Sequence, residues 1–279
     1  MDTLNLDWPL GDSSIGVVTL NRPDALNAMN TLMIRELLDL FREQAYNDSL
    51  RCMVITGAGT RAFSTGGDLK ERNGMGNEQW RYQHHLIEDA FKALWEFPVP
   101  ILAAVEGFAY AGGCELALGA DFIVASASAQ FALKEVTRGI LPGGGGLQNL
   151  ARSIGIRRAR EMIYTGRVID AETACSWGLV NRVVPAGEAR ESALEIAQQI
   201  AEAPRWRSGW PKSQLGTTRI AIPRPPMPWT SLLTMSLSEA RTGLKESLPS
   251  TRNASPNGRT AKLPSADRQA SEFAGAKKQ

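Results

Sequence analysis

Val105-Glu-Gly-Phe-Ala-Tyr-Ala-Gly-Gly-Cys-Glu-Leu-Ala117 decides the fold. An apolar run, Ile101 to Val105, leads into it, the pair Gly112-Gly113 interrupts it, and a helix-forming stretch follows. Strand, glycine turn and helix in immediate succession belong to an α/β chain. Glycines at such a junction let the backbone approach a ligand closely. The first N–H groups of the helix are left unpaired there, at the positive end of the dipole. Glu115 falls in the first helical turn. Its carboxylate either favours that dipole or serves as an acid or base beside a bound group.

Two more segments share this form. Ala62-Phe-Ser-Thr-Gly-Gly-Asp-Leu-Lys-Glu71 follows the buried-type strand Cys52 to Thr56. Phe131-Ala-Leu-Lys-Glu-Val-Thr-Arg-Gly-Ile-Leu-Pro-Gly-Gly-Gly-Gly146 precedes a helix near Leu147 to Ile154. Two glycine turns brought together supply backbone donors for a developing oxyanion. Two carboxylates, Glu115 and Glu135, can divide base and acid roles at one centre. Each signal also has a structural reading. Glycine turns are often only turns, and Glu135 beside Lys134 reads as a solvated loop charge. His84-His85 reads as an exposed helix pair, and Trp80 and Trp95 as packing residues.

Elsewhere, Ile15 to Leu20 reads as a strand and Asn21-Arg-Pro-Asp24 as a turn. Asn30 or Thr31 caps a helix to about Ala45, with Leu32, Ile34, Leu37, Leu38 and Phe41 at helical spacing. Helices are also expected over Glu78 to Trp95, Arg157 to Tyr164, Asp170 to Gly178 and Glu188 to Ala201, and a strand over Asp121 to Ala125. Strands in pairs, each pair followed by a helix, fit a doubly wound sheet and a spiral of ββα turns equally well.

The 279 residues are 43% hydrophobic and 22% charged, ordinary for a chain with a sizeable core. No apolar run is long enough for a membrane span. The N-terminus lacks a secretory or transit pattern, and Cys52, Cys114 and Cys175 lie far apart, so the expectation is free thiols in the cytoplasm. Residues 205–279 hold 13 Lys+Arg and 4 Asp+Glu, leaving 18 basic and 25 acidic before them. The acidic body argues against a broad nucleic-acid face. No metal-ligand spacing is present, and no metal is expected.

Taken together and in this order, the glycine segments resemble the enoyl-CoA hydratase/isomerase (crotonase) superfamily, from about Ile15 to Ala203. Asn21-Arg-Pro-Asp-Ala-Leu-Asn-Ala28 is similar to the family's first CoA-contacting loop. Ser64-Thr-Gly-Gly-Asp68 and Ala111-Gly-Gly-Cys-Glu115 are similar to its two oxyanion segments. Leu141-Pro-Gly-Gly-Gly-Gly146 and Leu179-Val-Asn-Arg-Val-Val184 are also family-like, and Leu69-Lys-Glu-Arg-Asn-Gly-Met75 resembles the methylglutaconyl-CoA hydratase branch.

The resemblance implies a crotonase-like spiral of ββα turns over residues 1–203, assembled as a homotrimer or a dimer of trimers. It implies that the N–H groups of Gly67 and Gly112 hold a thioester oxygen. Ala25, Leu26, Ser64, Gly66, Asp68, Leu69 and Lys70 would line the CoA and acyl cleft, and Glu115 and Glu135 would be catalytic. The activity implied is syn addition of water across the 2,3-double bond of an enoyl-CoA thioester. No cofactor is needed beyond the coenzyme A of the substrate. Competing readings on the same scaffold are an enoyl-CoA isomerase, an acyl-CoA thioester hydrolase and a non-catalytic acyl-CoA-binding protein.

Past Ala203 the pattern changes. Residues 204–279 are basic and rich in Pro and Ser, beginning Pro204-Arg-Trp-Arg-Ser-Gly-Trp-Pro-Lys-Ser-Gln-Leu215. Such composition predicts a tail with few tertiary contacts. Reverse-translated as CGC TGG CGG TCC GGA TGG CCA AAG TCG CAA and read from the last base of Pro204, the start becomes Pro-Leu-Ala-Val-Arg-Met-Ala-Lys-Val-Ala. That is a family-like helix, and the same shift restores family-like segments over 234–244 and 248–259. The hypothesis is a frameshift at the Ala203–Pro204 codons in place of the family's C-terminal helical region. Independent sequencing of that DNA is expected to reveal an altered base count; a clean, repeated read would refute it.

Overall fold

The computed structural model describes residues 1–11 and 13–204. The tail, with its expected looseness and shifted frame, lies outside the described residues. Strands β1 (Leu4–Asp7), β2 (Ile15–Leu20), β3 (Cys52–Gly57) and β4 (Ala62–Ser64) come first, with α1 (Thr31–Gln44) between β2 and β3. Then follow α2 (Leu69–Asn73), α3 (Asn77–Trp95), β5 (Ile101–Val105), β6 (Phe108–Tyr110) and α4 (Gly112–Gly119). The remainder is β7 (Phe122–Ser126), β8 (Gln130–Ala132), α5 (Gly146–Ile154), α6 (Ile156–Thr165), β9 (Ile169–Asp170), α7 (Ala171–Trp177), β10 (Arg182–Val184) and α8 (Ala189–Glu202).

The strands divide into a six-stranded sheet, ordered β1-β2-β3-β5-β7-β10, and a four-stranded sheet, ordered β4-β6-β8-β9. Among these strands, β1 and β9 alone pair antiparallel. Strands β3, β5 and β7 enter the large sheet, and the strand after each enters the small one, so successive ββα turns climb side by side. This settles what periodicity left open: the chain is a spiral, not a doubly wound sheet.

Alternation along the strands explains why the large sheet is buried on both faces. Val17 lies opposite Val54, and Val54 opposite Leu102. With Ile15, Cys52, Ala104 and Val124 they form one apolar face, covered by Ala189, Ala193, Leu194 and Ala197 of α8. The intervening Met53, Ile55, Ala103, Val105 and Ile123 join the main core, with Phe41, Phe63, Phe97 and Phe131. The α8 helix is seated by Glu106, whose Oε1 accepts from the N–H groups of Gly187 and Ala189 at 3.1 Å each.

Helix starts follow the sequence closely. Asn30 Oδ1 accepts from Met33 N–H at 3.0 Å, and Asp170 Oδ1 from Thr173 N–H at 2.8 Å, as capping residues should. Cys52 and Cys114 are buried and Cys175 partly so, and none of the three forms a disulfide among the described residues. Among the described residues no helix is long and apolar enough to cross a membrane.

The loop after β2 positions the site. A 3-10 turn, Pro23–Ala25, leads to Leu26 and Asn27 in left-handed conformations. Asn27 is fully buried. Its Oδ1 accepts from Arg22 N–H at 3.0 Å, and its Nδ2 donates to the carbonyls of Ala58 (3.0 Å) and Ala62 (2.8 Å). Asparagine tolerates this backbone region, and its amide clamps the loop to the β3–β4 corner.

Candidate active site

The two glycine turns meet. A β-carbon on Gly66 would fall 2.7 Å from the nitrogen of Gly112, and one on Gly112 would lie 3.7 Å from the nitrogen of Gly67. A β-carbon on Gly113 would come 2.1 Å from the carbonyl oxygen of Ser64, so α4 reaches β4 only because that position is glycine. Gly66 and Asp68 are tied to Met29: Met29 N–H donates to Gly66 O at 2.8 Å and Asp68 N–H to Met29 O at 3.0 Å. The N–H of Gly67, between them, has no acceptor among the described residues, and neither has the N–H of Gly112. Ala111, the N-cap of α4, adopts φ 50°, ψ −127°, a strained conformation for an L-residue, and hands Gly112 into the helix from it.

Glu115, one turn into α4, is 4% exposed. Its Oε1 accepts from Gly144 N–H at 2.7 Å and Gly146 N–H at 2.8 Å, at the start of α5. The run from Gly143 to Gly146 is what makes this clamp possible. A β-carbon on Gly144 would strike the Phe91 ring at 2.6 Å, one on Gly145 the Trp95 ring at 2.5 Å, and one on Gly146 would lie 2.9 Å from Glu115 Oε1. Trp95, expected as a packing residue, is 42% exposed, with its ring against Gly145.

Glu135 opens a 3-10 turn, Glu135–Arg138, and is 6% exposed, not a solvated charge. Its Oε2 is buried without a partner among the described residues. Burial lifts Glu115 to about 7, against the pull of its backbone donors and Arg72. Burial and the charge of Glu115 lift Glu135 to about 8. Burial also raises the Cys114 thiol, with both glutamates adding to it. Two carboxyls coupled in this way lose their protons as a pair, one before the other.

The other expected lining residues divide. Leu26 and Ala25 are half-buried, and Leu26 O accepts from Thr65 N–H at 3.2 Å, bringing the first loop against the glycine turn. Leu69 and Lys70 are exposed on α2. The side chains of Ser64 and Asp68 are turned to structural bonds. Ser64, fully buried, donates to Asn27 O at 2.8 Å and accepts from Gly66 N–H at 3.2 Å. Asp68 caps α2 through Lys70 and Glu71 N–H and pairs with Arg22 Nη1 at 2.9 Å. That pairing holds its carboxyl below the usual range against the opposing effect of burial. From Ser64, only backbone is left to meet a ligand.

Two participants escaped the sequence reading. The Arg72 guanidinium lies over Gly67, its Cζ 2.8 Å from where a β-carbon would be. Gln83 holds it, Arg72 Nε donating to Gln83 Oε1 at 2.9 Å. The available signal was Gln83 itself, the one polar residue on a buried stripe with Leu86, Ala90, Phe91 and Leu94. His84 is not exposed as expected: it is half-buried and stacks on Trp80 at 4.5 Å, whereas His85 is exposed. A cavity of about 830 Å³ elsewhere, between Leu10, Arg51 and Gln198, contains none of these groups.

The enoyl-CoA hydratase/isomerase family profile matches residues 11–218, running past Ala203. A short-chain-enoyl-CoA hydratase of Clostridium acetobutylicum is 39% identical over 189 residues, 68% of this chain and 72% of that protein. The mitochondrial enoyl-CoA hydratase domain-containing protein 2 of Mus musculus is 37% identical over 193 residues, 68% of this chain and 65% of the other. Among solved structures, an enoyl-CoA hydratase from Bacillus anthracis superposes with a TM-score of 0.72 at 33% identity, covering 88% of this chain and 90% of that one. Pseudomonas aeruginosa DspI superposes with a TM-score of 0.69 at 34% identity, over 73% and 76%.

The raised Glu135 value fixes a sign. Between pH 4.5, its ordinary value, and about 8, the unfolded chain loses a proton that the folded chain retains, so stability falls as pH rises. Glu135→Gln is expected to gain on wild type between pH 5 and pH 9, by up to about 4 kcal/mol. Denaturant midpoints at the two pH values measure this; parallel pH curves for the two proteins would contradict it.

Proposed function

The chain belongs to the enoyl-CoA hydratase/isomerase family, and from that premise we propose that it hydrates the 2,3-double bond of enoyl-CoA thioesters, with Glu115 as base and Glu135 as acid. The observation that carries this is the pair of unused N–H groups, Gly67 and Gly112, beside two buried carboxyls of unequal environment.

The substrate's thioester oxygen accepts from both N–H groups, which polarises the conjugated double bond toward C3. Glu115 is the group suited to carry charge, because two backbone donors and the positive end of α5 stabilise its carboxylate. It orients a water and takes its proton as the oxygen bonds to C3. Electrons move to the thioester oxygen, and the resulting enolate is held by the two donors; losing one such donor typically costs about 3–4 kcal/mol. Glu135 has fewer partners and the higher proton affinity, so it enters protonated and delivers its proton to C2. With both glutamates beside the same turns, hydrogen and hydroxyl add to one face, which is syn addition. The proton on Glu115 must return to Glu135 before the next turnover.

Coenzyme A enters as part of the substrate, along the Asn21–Ala28 loop and the exposed Leu69 and Lys70. The family resemblance carries with it a homotrimer or a dimer of trimers as the working assembly.

The first assay is loss of enone absorbance from crotonyl-CoA. Wild type is expected to turn over, and Glu115→Gln and Glu135→Gln each to lower kcat by about 10²–10⁴-fold with CoA affinity retained. Full activity in either variant would overturn the two-glutamate mechanism, and a migrated double bond without added water would point to isomerisation.

A further inference from the structure

The peptide that offers the Gly67 N–H joins two glycines, Gly66 and Gly67. With no β-carbon on either side, such a peptide meets the least steric resistance to rotation, so its orientation has to be imposed from outside. Met29 imposes part of it. Gly66 O accepts from Met29 N–H at 2.8 Å, and in a trans peptide the N–H of Gly67 then points away from that bond. The second constraint is the Arg72 guanidinium. Its Cζ, Nη2 and Nη1 lie 2.8, 2.9 and 3.1 Å from the β-carbon position on Gly67, so the group covers one face of that residue.

Arg72 is not held there by the core. Helix α2, which begins just after Gly67 and Asp68, buries no residue. Lacking an apolar anchor, it is fastened to neighbouring elements by polar bonds. At its start Asp68 pairs with Arg22 at 2.9 Å. At its end the fastening is Gln83 of α3, itself 2% exposed. Gln83 uses all of its amide: Nε2 donates to Thr31 Oγ1 at 2.8 Å and to Glu71 Oε2 at 3.0 Å, and Oε1 accepts from Arg72 Nε at 2.9 Å. Glu71 Oε2 also accepts from Thr31 N–H at 2.9 Å. Burial disfavours the charge of Arg72, and Glu71, ahead of the other carboxylates, favours it. The cluster is therefore compensated internally, and it acts on the site by position rather than by net charge.

We propose that Thr31, Glu71, Gln83 and Arg72 form a brace that sets the oxyanion donor: Gln83 pins the Arg72 guanidinium against Gly67, and the guanidinium keeps the Gly66–Gly67 peptide turned so that its N–H meets the thioester oxygen. Arg72 and Gln83 are then positioning residues, acting through Gly67. The proposal deepens the hydratase reading and rests on its oxyanion site. Catalysis is sensitive to such placement. Losing a donor outright costs about 10²–10³-fold in kcat, and a donor that is present but badly aimed is expected to cost on the order of 10–100-fold.

The test is the absorption band of bound cinnamoyl-CoA, which moves to longer wavelength when donors polarise its carbonyl. It is read on the full chain in the Glu135→Gln background, so that hydration does not bleach the band. A red shift is expected with Gln83 intact. Gln83→Leu keeps the charge of Arg72 and releases its pin, and a clearly smaller shift is expected, because Gly112 alone still donates in place. In the otherwise unaltered chain, Gln83→Leu should lower kcat for crotonyl-CoA about 10–100-fold with KM little changed. Should Gln83→Leu fail to fold, Thr31→Val removes one of the three amide bonds at constant shape; a smaller loss of the red shift is expected, restored in Thr31→Ser. A cluster that merely stabilised the fold would lower the denaturant midpoint and leave the band where it was, and that result in either folded variant overturns the proposal. No red shift with Gln83 intact would overturn the oxyanion reading and the brace with it. A shift governed by Gln83 in a chain that hydrates nothing would count against the hydratase reading and leave the brace standing.

Discussion

A carboxylate buried at 4% exposure needs hydrogen bonds, and Glu115 finds them in the N–H groups of Gly144 and Gly146. Much of the surrounding structure follows from that clamp. The loop that supplies it must pass beneath Phe91 and Trp95 of α3 with no room for a β-carbon, hence its glycines. The helix that carries Glu115 must sit against β4, hence Gly113 beneath the Ser64 carbonyl. The ββα spiral meets both demands because each turn delivers one strand to the small sheet and one helix start beside it. Two neighbouring turns of the spiral therefore place Gly67 and Gly112 next to one another without any long-range loop.

The same packing sets the electrostatics. Burial resists charge on both glutamates, backbone donors and the dipole of α5 favour it on Glu115, and the charge of Glu115 disfavours it on Glu135. One carboxyl is thereby prepared to lose a proton and the other to keep one. This division is bought with stability: a buried carboxyl oxygen without a partner and a strained Ala111 are both unfavourable to folding. The strained Ala111 adjoins Gly112, one of the unused N–H donors, and Glu135 is the carboxyl coupled to Glu115, the pattern expected where chemistry and stability compete.

Much of this was legible in the residues. Helix boundaries were visible because Asn30 and Asp170 cap in the way their side chains dictate, and the long strands because apolar runs of five or six residues have few alternatives. The short strands Phe108–Tyr110 and Gln130–Ala132 were not, since three residues carry no period; with them went the second sheet, so periodicity could not select the spiral. The glycine turns and Glu115 and Glu135 were marked by their order along the chain. Glu135 could not be told from a surface charge beside Lys134 until its burial was known. Arg72 was hidden for a different reason: a guanidinium becomes part of a site through its partners, and Thr31, Glu71 and Gln83 are up to 52 positions apart. Ser64 and Asp68 show the converse, since family-like motif residues can serve the loop's backbone rather than the cleft.

Hydration at C3 by a water held between two glutamates is tested most directly by incubating crotonyl-CoA with the chain in oxygen-18, deuterated water and locating the labels by mass spectrometry. The expected product is 3-hydroxybutyryl-CoA with the heavy oxygen on C3 and one deuterium on C2, formed by wild type and lost in Glu135→Gln. Heavy oxygen in a free carboxylate would show thioester hydrolysis instead, and an unlabelled thioester in a folded, CoA-binding protein would contradict catalysis of hydration altogether.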